Sequence, residues 1–478
     1  MICVGGDWGM ANAADAQHKV LSVILPVYNA MPWLPIAVRD MLKQDLGGEG
    51  IEVICCDDAS SDGSFACLDE LAGLLGARAV TELCDPPASA PRSKRTRVDD
   101  GAGSVTSTNP ALVNMPLRAT ETADHPSFRD QEEPEDVRRL RDNPVTASEV
   151  VAAARPEHQL RVLSWRDGVN RGQGAAMTLC LSRVTTPFLA QMESDDERED
   201  PRALAKLLSH LRCDAGIAGA SCLLKTIGWE RPGMQRYVDW QNSCVTEAEM
   251  SKGRFIEIPA LHQTALFRTQ AVLEVTGGVY RDGTADGEDD LDVPVDMWFW
   301  LSFFHAGKRC SKLPETLFGW RQHPRQHTRT HGRLSIDNLR KIKVHFLVRP
   351  GGPAHGRAVE VWSVGKSLEE WRAALSAHSN APSSLVTVSW KPGMLVPKRE
   401  EAKGIEPKAS DDIQDRHHSA PGSSVTTSPG NAVGTVVSEA VILEERPVRL
   451  FVFGMEKARR GVRQQIRDWD DHFDWFVA

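Results

Sequence analysis

The sequence predicts an α/β fold in which a mostly parallel sheet carries helices on its faces. Short apolar runs rich in β-branched residues, "LSVILPVY" at 21–28 and "IEVICCDD" at 51–58, are typical of buried parallel strands. A segment with apolar residues at helical spacing follows each run. The order strand, helix, strand, helix implies parallel strands with helices packed against them.

The elements follow one another in that order. Asn29 is predicted to cap a helix over 31–45, which has apolar residues at Trp33, Ile36, Ala37 and Met41. A turn at 61–63 leads into a second helix. The sheet resumes with a strand at 160–165, a Gly-rich turn and helix over 170–184, and a strand at 186–192. Pro201 starts the next helix, since proline suits the first helical turn, and 215–224 is the next predicted strand.

Two segments interrupt this pattern. Residues 83–158 and 397–444 are rich in Pro, Ser, Thr and charge, and they can bury little apolar area, so both are predicted to be disordered insertions. Strand, turn and helix patterns on either side of the second insertion predict a small C-terminal α/β module over 356–478.

Composition limits the classes of function. The chain has 478 residues, 41% hydrophobic and 25% charged, which fits a globular protein of two or three domains. The net charge of −9 argues against a nucleic-acid partner, and no run of 18 apolar residues predicts a membrane span. The N-terminus lacks a secretory pattern, and the ten cysteines form no CxxC pair. We therefore expect reduced thiols and a cytoplasmic location.

An acidic run follows the strand at 186–192. Residues 193–200 contain six acids, which is either a solvated surface or a site. Asp57 and Asp58 end another predicted strand, and ligands of parallel sheets bind at the carboxyl ends of strands. Carboxylates at two such ends can divide the work on a nucleotide diphosphate, with one group bonding base or ribose and another holding Mg²⁺ or Mn²⁺. Asn170, Arg171 and nearby glycines supply a cation and approachable backbone.

Four segments in order, "SVILPVYNAMPWL", "CCDDASSDGS", "NRGQGAA" and "FLAQMESDD", resemble the inverting family 2 glycosyltransferases. The family pattern is close to SVIxPxYN, VDDGSxDxS, NxGxxxARN and DSDD. The resemblance implies a Rossmann-like domain of glycosyltransferase type A over about 21–347. It also implies a UDP-sugar donor, Mn²⁺ or Mg²⁺ as cofactor, and a glycan, lipid or protein acceptor.

The resemblance also implies roles for residues that match the family motifs. Pro26 and Tyr28 would flank the uracil, Asp58 would hydrogen-bond the base, and Arg171 would lie near the nucleotide. The triplet from Glu193 to Asp195 matches the DxD motif. Asp195 would contact the metal, and Glu193 would face the ribose or the metal.

Further matches lie later in the chain. Asp296 stands at the Asp of the family's Glu-Asp catalytic motif and would be the general base, while Val295 replaces the Glu. Glu193 likewise replaces the usual first Asp. Arg321 and His323 match a loop near the diphosphate and its metal. Because of the two replacements, a nucleotide-sugar-binding scaffold without turnover remains the alternative function.

Other patterns have two interpretations. His323, His327 and His331 have helical metal-ligand spacing, but Pro324 opposes a continuous helix. "FIEIPALHQTALFR" resembles the acceptor-side segment of the family, so His262 and Gln263 would either hydrogen-bond the acceptor or be a satisfied polar pair on a strand. The aromatic residues of 298–304 are predicted to pack in the core rather than to bind sugar. Glu197, Glu199 and Asp200 are predicted to be solvated acids at a helix start. "VWSVGKS" has too few glycines for a dinucleotide-binding fingerprint, and "FGMEKARRG" is interpreted as an ordinary turn between a strand and a helix rather than as a second nucleotide site.

Overall fold

A computed structural model of the protein describes residues 19–86, 135–229, 232–284, 291–323, 326, 334–390, 398–401 and 446–478. These residues form two main sheets covered by helices, which confirms the predicted α/β class. The larger sheet has eight strands in the order β10-β6-β7-β5-β1-β2-β4-β3. All neighbours in it are parallel except β7, which is antiparallel to both β5 and β6. The strands are β1 Lys19–Val27, β2 Gly50–Asp57, β3 Ala79–Cys84, β4 Gln159–Trp165, β5 Phe188–Gln191, β6 Gly219–Gly228, β7 Leu266–Arg268 and β10 Cys310–Gln322, with a separate hairpin of β8 Gly283–Thr284 and β9 Asp292–Val293.

Helices cover this sheet. Those of the N-terminal part are α1 Leu34–Leu42, α2 Ser64–Leu75, α3 Glu135–Asp142, α4 Ala147–Ala153, α5 Gln173–Leu181, α6 Ala203–Cys213, α7 Pro232–Ser243, α8 Glu247–Gly253, α9 Thr269–Thr276, α10 Val295–His305 and α11 Ile336–Val348. The strands β1 and β2 are buried almost throughout, because helices lie on both faces and leave no side of the strand in water.

Asn29 does not cap α1, so that prediction is wrong. A turn over 31–33 separates the two, and the N-cap position is Trp33, which makes no side-chain capping bond. Asn29 has a positive φ of 49° and its Oδ1 accepts a hydrogen bond from the Ser61 amide at 2.8 Å. Its side chain therefore joins the end of β1 to the turn that follows β2.

The first insertion is shorter than predicted. Residues 135–158, which the sequence assigned to it, form α3 and α4, so the prediction is wrong for this part. Thr146 and Glu149 make a capping box at the start of α4, and Val150 is fully buried in the core. The polar average of the long segment conceals this short amphipathic stretch. Residues 83–86 are also described, with 83–84 in β3, while 87–134 lie outside the described residues.

The C-terminal module is a second α/β unit, as predicted. Its sheet has the order β13-β12-β11-β14-β15 and is parallel except for β13. Its elements are β11 Ala358–Ser363, α12 Lys366–Ala377, β12 Ser384–Ser389, β13 Lys398–Glu401, β14 Val448–Val452, α13 Glu456–Gln465 and β15 Asp474–Val477. The strand β13 falls inside the second predicted insertion, and its charged sequence carries no strand signal. Residues 402–445 lie outside the described residues.

Three smaller expectations concern the core and the cysteines. The aromatic side chains of α10 are buried, with Trp300 and Phe303 at 0% exposure, so the prediction of core packing is confirmed. The cysteines among the described residues are all free. None of the helices in the described ranges combines the length and hydropathy needed to cross a bilayer.

Candidate active site

The acids that the sequence singled out meet at one edge of the large sheet. The central strand β1 has β2 on one side and β5 on the other, and both are parallel to it. The strand order reverses at β1, because β2, β3 and β4 lie on one side of it and β5 lies on the opposite side. Asp58 follows β2, and Glu193 and Asp195 follow β5. Such a reversal of strand order opens a crevice at the carboxyl ends of the strands, where ligands of parallel sheets bind.

Asp58 anchors the Gly-rich turn that precedes α5. Its Oδ1 accepts hydrogen bonds from the Trp165 indole at 2.8 Å and the Arg171 amide at 2.7 Å, and its Oδ2 accepts one from the Gly172 amide at 2.7 Å. The Asn170 side chain donates to the Asp58 carbonyl at 2.9 Å. The carboxylate is 3% exposed. Asp58 is therefore a structural centre of the site, and its predicted bond to a base stays a prediction.

The other predicted nucleotide contacts surround this crevice. Pro26 is buried in β1, and Tyr28, just beyond the strand, is 49% exposed. The Arg171 guanidinium pairs with Asp167, with Nη2 and Oδ2 at 2.5 Å, and lies 4.6 Å from the centre of the Trp165 ring. Tyr28 is therefore exposed at this edge, while the Arg171 guanidinium is held by Asp167 and Trp165.

Glu193 lies among other carboxylates. Its Oε1 accepts hydrogen bonds from the Gln173 and Gln191 amides at 2.7 and 2.5 Å. Burial raises the pKa of Glu193 well above its usual value, and the neighbouring charges of Asp195 and Asp296 raise it further. Asp296, on a helix more than 100 positions later in the chain, is therefore one of the charges that act on Glu193.

Asp195 is paired with His323 at the end of β10. The His323 Nε2 lies 2.9 Å from Asp195 Oδ2, and the imidazole is tilted against the Trp33 ring at a centroid distance of 4.3 Å. The Asp195 side chain is 26% exposed and His323 is 7% exposed. These two predicted metal ligands are therefore adjacent, with the carboxylate facing the crevice.

The pair fits a divalent cation. Carboxylate oxygen and imidazole nitrogen are both metal ligands, and these two atoms lie 2.9 Å apart, so Asp195 and His323 would hold a cation together. Within the described ranges, no group of three or more His, Cys, Asp or Glu side chains is arranged as a metal cage. A cation held by one or two protein ligands and by substrate phosphates is common for Mg²⁺ and needs no such cage.

Asp196 and Glu197 both contact Arg321 and so hold the loop that follows β5 against β10. Asp196 is 1% exposed and accepts from the Arg321 amide at 2.8 Å and from Gln263 Nε2 at 3.2 Å. The Arg321 guanidinium donates to the Asp195 carbonyl at 2.9 Å and pairs with Glu197. The prediction that Glu197 is solvated is wrong, because β10 covers it, whereas Glu199 is exposed as expected.

Asp296 lies in the first turn of α10 and is half-buried. A carboxylate is favoured there by the positive end of the helix dipole. Val295, which replaces the family Glu, is 7% exposed and packs in the core. Glu288, Asp289 and Asp290, the acids that precede this helix, lie outside the described residues, as do Pro324, His327 and His331.

His262 and Gln263 have different surroundings. His262 is 3% exposed, has Phe299 at 4.2 Å between ring centres, and makes a 3.4 Å contact with the Tyr280 hydroxyl. Burial lowers the pKa of His262 to about 3. Gln263 bonds to Asp196 and accepts from the buried Arg198. His262 is therefore enclosed by aromatic rings, and Gln263 has hydrogen-bond partners within the protein. The two residues do not bond each other.

The residues that connect the loops of the site were not predicted from the sequence. Asp282 Oδ2 accepts from the Gly174 amide at 3.0 Å, and a Cβ on Gly174 would lie 2.3 Å from the Asp282 Cβ. Gln173 and Gln191 fix Glu193, and Trp33 supports His323. The glycines at 172 and 174 were the available signal, because a close backbone approach requires them.

The fold and this edge define an α/β domain with an acidic crevice at the carboxyl ends of its parallel strands. The family model described as Glycosyl transferase family 2 matches residues 22–79, from β1 to the start of β3. The predicted family resemblance is confirmed over this segment. Comparison with curated proteins found no match.

The solved structures that match this chain do so at low identity and include a mannosyltransferase. S. aureus TarS 1-349 in complex with UDP-GlcNAc is 14% identical, with a TM-score of 0.40 over 75% of this chain and 80% of that chain. The same protein in complex with UDP is 13% identical, with a TM-score of 0.39 over 69% of this chain and 66% of that one, so this chain spans about two thirds of its length. The mannosyltransferase PcManGT from Pyrobaculum calidifontis, in complex with GDP-Man and Mn²⁺, is 14% identical, with a TM-score of 0.34 over 70% and 63%.

Proposed function

We propose that this protein is an inverting glycosyltransferase that moves a sugar from a UDP-sugar to an acceptor hydroxyl. The observation that carries the proposal is the placement of Asp58 after β2 and of Glu193 and Asp195 after β5, on either side of β1, with His323 Nε2 2.9 Å from Asp195 Oδ2. A general base on one side of a metal-binding carboxylate is the arrangement that a single displacement with inversion needs. The family match over residues 22–79 supports the same reaction class.

The donor would lie along the crevice from β1 to β5. Tyr28 would cover the uracil beside Pro26, and the turn held by Asp58 would present its backbone to the nucleotide. Asp195 and His323 would hold Mn²⁺ or Mg²⁺, which when bound neutralises the charge of the departing UDP. Arg321 would keep Asp195 in place through its carbonyl. Glu193, fixed by two glutamine amides, would face the ribose or the metal.

Asp296 would accept the proton of the acceptor hydroxyl while that oxygen forms the new bond to the anomeric carbon. UDP leaves from the opposite face. The sugar is proposed to be N-acetylglucosamine or another hexose. The reason is that "YVDWQNSCVTEAEM", "VPVDMWFWLSFFHAGK" and "FGWRQHP" resemble the UDP-GlcNAc:β-galactose β-1,3-N-acetylglucosaminyltransferase-like protein 1.

The first test is a screen of UDP-sugars with Mn²⁺ or Mg²⁺, read by UDP release, on the parent and on Asp195→Asn. The variant should lose metal-dependent turnover and bind UDP more weakly when Mn²⁺ is present, because one metal ligand is neutralised. The matched control is Glu199→Gln in the same acidic run. Glu199 pairs with the exposed Lys225 at 3.0 Å and its side chain is 63% exposed, so this variant should keep parental turnover. Unchanged metal dependence in Asp195→Asn would contradict the metal assignment.

The second test separates binding from chemistry at Asp296. Asp296→Asn should keep the parental affinity for the UDP-sugar and lose transfer by at least roughly 100-fold, the low end for removal of a general base. Transfer at the parental rate would mean that the base lies elsewhere, in which case Glu288, Asp289 and Asp290 become candidates. A parent that binds the donor and never releases UDP would instead favour the scaffold function, to which the substitutions at Glu193 and Val295 point.

A further inference from the structure

The helix α3 belongs to the long connection between β3 and β4, yet it packs near the candidate metal ligands. Its Leu140 is 7% exposed and forms a small apolar cluster with Trp33 and Ile36, at the start of α1. This cluster is distinct from the large core that surrounds the sheet. The helix also lies against β6, the strand that pairs with β10 up to Gln322, the residue before His323. The helix α3 is therefore placed beside both elements that carry the surroundings of His323.

Trp33 connects this packing to His323. The two rings lie 4.3 Å apart between their centroids, at an interplanar angle of 32°. The backbone before Trp33 is fixed without α3, because the Met31 amide donates to Asp62 Oδ2 at 2.9 Å. The indole, in contrast, packs in the cluster with Leu140 and against the imidazole. The orientation of the indole therefore depends on α3.

The imidazole of His323 is held by one hydrogen bond and by the indole. Its Nε2 lies 2.9 Å from Asp195 Oδ2, and its side chain is 7% exposed. The other nitrogen, Nδ1, is buried and has no hydrogen-bond partner among the residues that the structure describes. A histidine that binds a metal is usually oriented by a hydrogen bond at its second nitrogen. In this site the contact with Trp33 takes that place.

We propose that Leu140 of α3 is a positioning residue for the metal site: it holds Trp33 against His323, and His323 is thereby kept where it binds the cation together with Asp195. The proposal rests on the proposed function, because that function assigns the cation to this pair. A ligand that is already oriented loses little conformational entropy on binding. Loss of the support should therefore weaken metal binding and leave nucleotide binding unchanged.

The first measurement is Mn²⁺ binding to the full-length protein by calorimetry, without nucleotide and without turnover. Leu140→Ala should weaken Mn²⁺ binding by roughly 3- to 10-fold, as expected for a residue that acts through its neighbours. Leu140→Met, of similar volume, should keep the parental affinity. Trp33→Leu removes the ring that contacts His323 and should weaken Mn²⁺ binding by at least about 10-fold, and Trp33→Phe should recover part of this loss. UDP affinity without metal should be parental in Leu140→Ala.

Leu368→Ala is the matched control, because Leu368 is also 7% exposed but lies on α12 of the C-terminal module. Both alanine variants should lower the melting temperature, since each removes a buried side chain, but only Leu140→Ala should weaken Mn²⁺ binding. In a His323→Gln background, Leu140→Ala should have no further effect on Mn²⁺ binding, because the ligand that it supports is gone. Leu140→Val is a milder truncation and should show the same effect at smaller size, so the test stands if Leu140→Ala does not fold.

The second measurement needs no metal. In protein with ¹³C-labelled histidine, the Cε1 resonance that disappears in His323→Gln belongs to His323 and senses the ring current of Trp33. This resonance should shift in Leu140→Ala and in Trp33→Leu, and it should keep its position in Leu368→Ala. A shift in the leucine variant shows that α3 sets the contact between the two rings.

Unchanged Mn²⁺ affinity in the folded Leu140 variants would overturn the proposal, whether or not the resonance shifts, because the leucine would then only stabilise the cluster. A parent that binds no Mn²⁺ would overturn it as well. Failure of the transfer reaction is a different result. A parent that binds Mn²⁺ with the expected dependence on Leu140, and releases UDP from no UDP-sugar, would contradict the glycosyltransferase function and leave the positioning role intact.

Discussion

Asp58→Asn is the substitution whose effect the structure defines best. The carboxylate accepts the Trp165 indole, the Arg171 amide and the Gly172 amide within 2.8 Å, and it is 3% exposed. An asparagine of the same shape keeps one oxygen, which can still accept the first two donors. Its amide nitrogen then faces the Gly172 N–H, where two donors oppose each other.

The magnitude follows from these three bonds. A hydrogen bond to a charged group contributes roughly 1.5–3 kcal/mol and a neutral one roughly 0.5–1.5 kcal/mol, so the two retained bonds lose about 1 kcal/mol each. The bond from the Gly172 amide is lost, which costs about 2 kcal/mol because its donor stays buried. The free energy of unfolding should therefore fall by about 4 kcal/mol. For a domain of this size, this lowers the melting temperature by about 10 °C.

The assay is thermal unfolding of the full-length protein followed by tryptophan fluorescence, with UDP binding measured in parallel by calorimetry. Asp167→Asn is the control, since Asp167 binds the Arg171 side chain rather than its backbone and is 42% exposed. It should shift the melting temperature by no more than about 2 °C, as is usual for surface pairs. Equal shifts in the two variants would refute the view that Asp58 holds the donor-side turn.

Three other perturbations have defined outcomes. His262→Phe should remove a pH dependence: the pKa of His262 is lowered from 6.5 to about 3, so its stabilising contribution is present above pH 6.5 and is lost as the pH falls. Between pH 6.5 and 5 the parent should lose about 2 kcal/mol more unfolding free energy than the variant, and parallel curves would contradict this. Gly174→Ala should destabilise by at least about 2 kcal/mol, because its Cβ would lie 2.8 Å from the Tyr280 carbonyl oxygen, whereas Gly73→Ala meets nothing within 4 Å and should be neutral or stabilising in the same urea titration. Deletion of 87–134 should leave soluble expression and UDP binding intact, whereas deletion of 87–157 should abolish both, since it removes the buried Val150; equal behaviour of the two deletions would be the contrary result.

Much of this edge could be predicted from the sequence because its parts are local. The runs at 21–28 and 51–58 have the apolar, β-branched composition that predicts buried strands. Because these strands are parallel, the acids that directly follow β2 and β5 lie at the same edge of the sheet. The element boundaries shifted by a few residues, as at α6, which begins at Ala203 rather than Pro201. Local apolar spacing carries this information.

The missing part depends on long-range pairing. His323 and Asp195 are 128 positions apart in the chain, and they meet because β10 is paired with β6 rather than with a sequence neighbour. The three-residue strand β7 and the charged strand β13 have no pattern of their own, since their pairing partners define them. The resemblance to a family and the spacing of His323, His327 and His331 pointed to His323, but neither indicated that it would pair with Asp195, and no sequence pattern identified Asp282.

The acids of the run at 193–200 differ in their exposure and in their partners. Its members alternate between the crevice and the interior: Asp195 faces the crevice at 26% side-chain exposure, and its neighbour Asp196 is 1% exposed and bound to β10. Arg321 uses its amide for Asp196 and its guanidinium for the Asp195 carbonyl and Glu197, so one residue fixes three consecutive acids. Because its loop is already ordered, a carboxylate held in this way would lose little conformational entropy on binding a cation. Part of the charge after β5 is therefore explained by contacts that position the loop, an interpretation that residue composition alone could not separate from a solvated surface or a ligand site.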